Sequence, residues 1–144
     1  MSLSTWMTTL RTNMAAVTGI QQAHDYTNLP GSLQVFPCIV ILPVSGTQTG
    51  GKSAPGIALH AIQVTLYTGN QILPEALSTA VPYIELIRNK IYSDVTLSGN
   101  CSQCLPRGEG TFYEGPGAIR YADQQLCGTA FYLTIKEVES LTVS

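Results

Sequence analysis

Two apolar patterns of different period lie in the second half of the chain and constrain its fold. From residue 73 onward, apolar residues recur every three or four positions, which predicts an amphipathic helix. The apolar face of this helix consists of Leu77, Val81 (or Ala80), Ile84, Ile87 (or Leu86) and Ile91. In GTAFYLTIKEVE, residues 128–139, the pattern alternates instead, as in a strand with one buried face. Phe131, Leu133 and Ile135 point one way, and Tyr132, Thr134 and Lys136 the other. Apolar faces of similar size can bury each other, so we expect a two-layer α+β domain.

A second helix is predicted at the N-terminus, followed by a buried strand. The helical stripe consists of Leu3, Trp6, Met7, Leu10, Met14 and Val17. Ser2 or Ser4 can cap its start, and Gly19 can end it. Residues 24–34 are expected to form a loop. The run QVFPCIVILPV, residues 34–44, is rich in β-branched residues and predicts a strand that is buried on both faces, with prolines at its ends.

The middle of the chain predicts a hairpin. Residues 45–56 are polar and without periodicity, so we expect a flexible loop. Residues 57–68 alternate again and predict the returning strand. Pro74 suits the first turn of the next helix, while Pro82 should kink or restart that helix. Residues 99–117 should hold little regular structure, with a short strand at 118–122.

The expected fold is therefore a single α+β domain over residues 1–144, in which two helices pack on an antiparallel sheet. The element order is α-β-β-α-(β)-β, and no internal repeat or second core is visible.

Charged residues are scarce, and this favours a subunit that its neighbours cover, with a neutral monomer as the alternative. They make up 11% of the chain, against roughly 25% in ordinary soluble domains. Few charges mean weak self-repulsion, which favours association. The net charge is −2 and no run of Lys or Arg occurs, so we expect no nucleic-acid partner. No apolar run approaches a membrane span and the N-terminus lacks a signal-peptide core, so the four cysteines should stay reduced in an unexported protein.

Residues 46–53, GTQTGGKS, match the phosphate-binding pattern G-x-x-x-x-G-K-[ST]. A phosphate-binding loop needs a helix to begin at its end, because the helical amides and dipole hold the phosphates. Here Ala54-Pro55-Gly56 and an alternating strand follow. A Gly- and Thr-rich hairpin loop is therefore the favoured interpretation, and a small nucleotide-binding protein is the alternative from another functional class.

Cys101 and Cys104 form a CxxC in an expected loop. Zinc usually takes two such pairs, and a redox pair usually begins a helix that follows a strand. Because neither setting is present, structural or incidental cysteines are favoured, while a disulfide or a metal clip remains open. We predict no resident metal and no cofactor.

The remaining candidates for chemistry are weaker. His60 is favoured as a core or rim histidine, and His24 beside Asp25 as a capping or solvated one. Glu109 and Glu114 lie in a glycine-rich region that sets no paired-carboxylate geometry. We therefore predict no catalytic residues and no enzymatic activity.

Two stretches resemble the tail-terminator proteins of long-tailed bacteriophages and the related neck or tail-completion proteins. They are ALSTAVPYIELIRNKIYSDVTLSGNC, residues 76–101, and GAIRYADQQLCGTAFYLTIKEVE, residues 117–139. In the family a helix leads into an ADPTLGG-like exit, which Ser93–Gly99 matches, and a final strand has the form Y-x-G-x-x-x-x-x-V-x-E. Gly128, Phe131, Leu133, Ile135 and Glu137 or Glu139 approximate that strand. Val95, where such proteins often have proline, and the CxxC depart from the family.

The resemblance implies a non-enzymatic α+β subunit that is made in the host cytoplasm and incorporated into the tail or neck of the virion. Such subunits form a ring, typically a hexamer, that stops growth of the tail tube and meets the connector of the head. The implied partners are further copies of the chain, the tail tube protein and the head–tail connector or neck protein. Another neck or minor tail protein is the alternative within this class.

Within such a ring, the loop at residues 45–56 can become ordered against a neighbour or the next ring. Thr47, Gln48 and Lys52 are the predicted contact residues, and an idle surface loop is the alternative.

Overall fold

The computed structural model describes residues 3–51, 54–71, 73–108 and 110–139. Within these ranges the chain forms two helices and six strands as one mixed α+β domain. In chain order they are α1 (Leu3–Ala15), β1 (Gln22–His24), β2 (Cys38–Gly51), β3 (Ala54–Gly69), α2 (Pro74–Ser93), β4 (Gln103–Pro106), β5 (Tyr113–Tyr121) and β6 (Gln124–Glu139).

The six strands form one sheet in which β6 has two short partners on one edge. The order is β1-β2-β3-β6, and the outer edge of β6 is shared by β5 and β4. β5 pairs with residues 124–131 and β4 with residues 133–136. The pairs are antiparallel except for β1 and β2, which run parallel. The expected fully antiparallel sheet is therefore wrong at one edge, where residues 25–37 return the chain to the same end before β2 begins.

Three strand assignments also differ from expectation, and the element order becomes α-β-β-β-α-β-β-β. β1 lies partly in the predicted loop at 24–34, β4 crosses the region expected to be irregular, and β5 begins at Tyr113 rather than at 118. The glycines and prolines of residues 99–117 had favoured irregular structure there. In β5, Gly115 has a φ of 107° and Gly115–Gly117 forms a bulge, so the strand accommodates these residues by local irregularity.

The main core lies between the two helices and one face of the sheet. The predicted α1 stripe is confirmed, because its members from Trp6 to Val17 are buried. On the sheet, the predicted inward residues Phe131, Leu133 and Ile135 of β6 are also buried. The alternating residues Ile62, Val64 and Leu66 of β3 are buried on the same side. Burial of these large apolar side chains is the dominant stabilising contribution, at about 1.5–3 kcal/mol each.

Both helices depart from prediction in detail. α1 ends at Ala15, four residues before Gly19, which has a φ of 95° in the following turn. α2 runs as one helix through Pro82, so it does not restart there. Its buried face is centred on Ala80, Tyr83, Ile87 and Ile91, and of the alternatives considered, Val81 and Leu86 are exposed.

The second face of the sheet is covered only at one end. There the loop before β2 crosses to the turn between β5 and β6. Gln124 accepts from the backbone N–H of Leu33 at 2.6 Å and donates to its carbonyl at 2.9 Å, and the Tyr121 hydroxyl donates to the Pro30 carbonyl. A small apolar cluster lies beneath, formed by Leu33, Cys38, Val40, Tyr67 and Leu126. Residues 38–41 of β2 are therefore buried on both faces, which confirms part of the prediction for residues 34–44. The prediction is wrong for the rest, because β2 begins only at Cys38, Leu42–Val44 is exposed, and Pro43 lies inside the strand rather than at its end.

Candidate interaction surface

The predicted flexible loop at residues 45–56 is wrong, because strand pairing continues through most of it. Ser45–Thr49 of β2 pairs with Ile57–Ala61 of β3, and Gly51 pairs with Ala54. β3 is itself held along its other edge by β6 as far as the pair of Gly56 with Glu139. Pairing with β3, which is itself paired with β6, thus holds this glycine- and threonine-rich segment as a strand, although its composition alone predicts a loop.

We call Ser45–Thr49 the hairpin arm. All five of its residues are exposed, so both of its faces meet solvent. The exposure begins earlier in β2, where the exposed fractions of Leu42 and Val44 are 37% and 59%. A bulge between Pro43 and Ser45 separates these residues from the arm. The arm therefore contributes little buried area to the subunit.

Two of the three predicted contact residues lie on the arm. Thr47 stands opposite Leu59 and Gln48 opposite Ala58 in the β2–β3 register, so their side chains project from opposite faces of the sheet. Both are exposed. Lys52 lies outside the described residues.

The phosphate-loop pattern takes a geometry unsuited to phosphate binding. Residues 46–51 are extended in β2, and residues 54–69 form β3 rather than a helix. The strand predicted to follow the pattern is thus confirmed. Because no helix N-terminus follows residues 46–51 in the described chain, the amides and dipole that would hold a phosphate are missing there.

The outer edge of β2 is free over most of its length. β1 covers only Cys38–Val40, so among the described residues no strand pairs with the outer edge from Ile41 to Gly51. The sequence from residue 26 to residue 51 contains no Asp, Glu, Lys, Arg or His. Natural proteins usually protect such edges with charged side chains, because unpaired N–H and C=O groups can recruit another strand. Ser45–Thr49 lacks charged side chains, although Pro43 and two bulges, between Pro43 and Ser45 and between Thr49 and Gly51, flank it.

The other sheet edges do carry protective features. β5 contains Pro116, which has no N–H to donate, together with a bulge and the charged residues Glu114 and Arg120. β1 has three residues, and β4 has four and ends at Pro106. Short strands, prolines, bulges and charges each discourage pairing between molecules.

A buried polar cluster that was not predicted from the sequence lies at the base of the arm. Glu137 is 5% exposed, and its carboxylate accepts a hydrogen bond from the indole N–H of Trp6. Its other oxygen lies 3.4 Å from Nε2 of His60, whose ring centroid is 5.3 Å from that of Trp6. His60 is thus a rim histidine, as predicted. The position of Glu137, two residues after inward-facing Ile135, was the available signal for its burial.

This cluster ties α1 to β3 and β6 where the helix layer ends. A buried carboxylate without a partner is costly, so the indole donor and the imidazole are needed to retain it. The three side chains satisfy one another, which favours a structural role.

The four cysteines are free and buried. Burial raises the pKa of Cys104 to about 12 and that of Cys101 to about 11, so both are neutral thiols near neutral pH. Thiolate is the reactive form, and neutral buried thiols are poor nucleophiles. Cys101 and Cys104 belong to the main core, and Cys104 lies in β4 rather than in the expected loop. The structural interpretation is supported.

The remaining predicted candidates are dispersed. Asp25 is fully buried, and its Oδ1 accepts from the Thr27 backbone N–H at 2.9 Å and lies 3.4 Å from Nη1 of Arg11. His24 contacts Gln22 at 3.2 Å on β1. Glu114 is exposed on β5, and Glu109 lies outside the described residues. Among the residues that the structure describes, no three His, Cys, Asp or Glu side chains converge as a metal site would require.

The uncovered part of the second sheet face holds two shallow grooves that share Gln63 and Ile119. One has a volume of about 440 Å³ and lies between β2 and the end of β5. The other, of about 320 Å³, is lined largely by small residues of β5 and β6. Tyr67 separates the larger groove from the apolar cluster, and burial raises its pKa to about 12. Neither groove contains converging catalytic groups.

A scan against protein-family models finds no match, and a search of curated proteins finds none either. None of the described helices is long and apolar enough to cross a membrane.

Proposed function

We propose that this chain is a structural subunit of a bacteriophage tail, specifically a tail terminator. In this role its copies form a ring, typically a hexamer, at the head-proximal end of the tail tube. The ring stops growth of the tube and presents a surface to the connector or neck protein. Another neck or minor tail protein is the alternative within the same class.

The observation that carries the proposal is the hairpin arm. Eight consecutive residues of β2, from Leu42 to Thr49, are exposed although they belong to a strand of the central sheet. They bury little within the subunit, and residues 26–51 carry no charge. A neutral extended strand with two open faces and an open edge is suited to contact with another protein.

The exit motif that carries the family resemblance has a clear structural role. Asp94 accepts from the Ser98 backbone N–H at 2.9 Å and from the Asn13 side chain at 2.9 Å, and these bonds lower its pKa, with the backbone bond as the larger cause. Leu97 is buried, and Leu97, Ser98 and Gly99 have positive φ values. The motif thus forms a tight turn that ties α2 to α1 and leads into β4.

Because the exit motif builds a turn, the resemblance that it carries supports the fold more than the function. Residues that build a turn favour a shared fold, whereas function depends on surfaces and sites. The functional proposal therefore combines the resemblance with the neutral surface and the exposed arm.

Nucleotide binding is not proposed, because residues 46–51 of the matching pattern belong to a strand and residues 54–69 form the next strand. A metal-binding module is not proposed either, because Cys101 and Cys104 are part of the main core.

Electron microscopy of the purified chain with tail tubes of its phage tests the proposal. We expect rings in the free protein, binding at one end of each tube, and arrest of tube elongation. A variant lacking residues 47–53 should still fold and form rings, but should join tubes to heads poorly. The chain bearing Ala15→Lys, an exposed change at the end of α1, is the matched control and should behave as the unmodified chain. Tubes that elongate unchanged with the chain present would contradict the terminator role.

A further inference from the structure

We propose that the hairpin arm of one molecule pairs as an antiparallel strand with the same arm of a second copy of this chain. The inference rests on the arm as the contact element of the proposed function, and it names a partner for that element. It does not depend on the identity of the tail tube or the connector.

The arm lacks a pairing partner along its outer edge in the described part of the chain. Ser45–Thr49 is bonded to β3 on one side only, and its side chains contact little on either face. Every second residue of an edge strand directs its N–H and C=O groups outward, where water or another strand must satisfy them. Five residues are a usual length for a strand in a sheet, so the arm offers a complete pairing unit.

The partner of the arm should be a neutral strand edge of similar length. A charged edge would lose hydration against the arm without gaining an opposite charge, because residues 26–51 carry none. β5 carries Glu114 and Arg120 and lacks an amide donor at Pro116. β1 and β4 are shorter than the arm. Among the described edges of this chain, the one that matches the arm in length and neutrality is the arm itself.

The side chains of the arm are suited to antiparallel pairing with a second copy. Thr47 and Thr49 lie on one face of the sheet, and Gln48 lies on the other. In an antiparallel register centred on Thr47, all five arm residues pair, the two Thr47 side chains face each other, and Ser45 stands opposite Thr49 of the partner subunit. Threonine–threonine and serine–threonine pairs across strands are favourable.

The contact has two-fold symmetry, whereas ring contacts join one surface to a different surface. Arm pairing therefore does not join neighbours within one ring. It joins two free subunits, or two rings face to face, and predicts particles with twice the copies of a single ring. Because five-residue edges bury far less than a standard interface, the free pair should form only at high protein concentration.

Sedimentation velocity over a concentration series tests the pairing. We expect Thr47→Lys to weaken the self-association roughly tenfold, because it places like charges at the paired edge of both copies. Thr47→Val keeps the edge neutral and β-branched and should associate at least as strongly as the unmodified chain. Ala15→Lys adds the same charge away from the arm and should have no effect.

Hydrogen exchange on the concentrated and dilute protein locates the contact. We expect slower amide exchange at residues 45–49 on association, with unchanged exchange in β5. Slower exchange in both segments would overturn self-pairing in favour of head-to-tail pairing between β2 and β5. Unchanged exchange at residues 45–49, or equal association of the Lys and Val variants at position 47, would also overturn it.

The outcomes separate this inference from the proposed function. If the chain caps tubes but the variants at position 47 associate equally, arm pairing fails and the terminator role stands. If arm pairing is found but tubes are not capped, the terminator role fails and the pairing stands.

Discussion

The two ends of the β2–β3–β6 sheet differ sharply in what surrounds them. At the covered end, Cys38–Ile41 lies between helices on one face and the crossing loop and β5–β6 turn on the other. At the arm, five residues of the same strand are exposed on both faces. The pairing partner, β3, and the third strand, β6, are shared by both ends.

The difference shows that a single strand can serve two purposes. Its first residues are held by apolar burial and so contribute to folding. Its later residues are held mainly by pairing with β3, so their composition is free to suit an external contact. Substitutions should therefore divide into those that change stability and those that change association.

Truncation of a core side chain should give the largest difference in stability loss between the covered part of the sheet and the arm. Phe131→Ala removes a fully buried ring of β6 and should lower the free energy of unfolding by about 3–5 kcal/mol. Leu59→Ala, beside the arm and 39% exposed, should cost less than about 1 kcal/mol. Urea denaturation measures both. Similar losses for the two variants would show that the core and the residues beside the arm contribute equally to stability.

Alkaline pH should destabilise the covered part through its thiols. Burial raises the pKa of Cys104 from 9.0 to about 12, and that of Cys38 from 9.0 to about 11. The folded chain thus keeps these protons to higher pH than the unfolded chain, so their contribution to stability is complete below pH 9 and is lost as the pH rises. Each well-buried thiol should lower the free energy of unfolding by about 1.4 kcal/mol per pH unit above 9.

The check is urea denaturation at a series of pH values from 8 to 11. Cys104→Ala should flatten the alkaline decline, whereas Thr47→Ala on the arm should leave its slope unchanged. An unaltered slope in the Cys104 variant would mean that this thiol ionises as readily in the folded chain as in the unfolded chain.

Alanine substitutions at two glycines, Gly128 of β6 and Gly46 of the arm, compare how tightly the backbone is packed at the two places. A Cβ at Gly128 would lie 2.8 Å from the Leu66 carbonyl oxygen, so Gly128→Ala must displace backbone and should cost about 1–3 kcal/mol. At Gly46 on the arm the nearest atom would be 3.5 Å away, and Gly46→Ala should change stability by less than about 1 kcal/mol. Thermal unfolding of the two variants compares them directly. A larger loss at Gly46 would show that the arm is packed more tightly than its exposure indicates.

The polar cluster at the boundary should give the smallest effect. Trp6→Phe removes the indole donor and leaves the Glu137 carboxylate with His60 alone, at a cost of about 1–2 kcal/mol. In Trp6→Phe with Glu137→Leu, no unpaired carboxylate remains, so the double change should cost less than the sum of the single ones. Chemical denaturation of the three variants completes the cycle. Additive losses would show that the two side chains act independently.

The helices and strands with a buried apolar face were predicted correctly from the sequence. The pairing of β1 and of the arm, at the edge of the sheet, was not. The α1 stripe, the inward residues of β6 and the doubly buried start of β2 follow directly from apolar spacing. The parallel pairing of β1 does not, because its three residues have too little pattern to reveal a partner. Strand pairing of the arm was missed for a related reason, since the constraint comes from β3 and β6 and not from local composition.

The candidate interaction surface was likewise predicted only in part. Thr47 and Gln48 were predicted to be contact residues from a segment wrongly expected to be a loop, and the structure shows that both are exposed. Glu137 was not identified as buried, because its partners Trp6 and His60 lie 131 and 77 residues away in the chain. Long-range polar contacts of this kind leave no local pattern.

The burial of Trp6 has an optical consequence. It is the sole tryptophan of the chain, it is fully buried, and its indole donates to Glu137 beside the His60 ring. Intrinsic fluorescence excited at this residue therefore reports the seating of α1 on the sheet without any label. Emission should shift to the red when α1 is released, even while the strands are still paired.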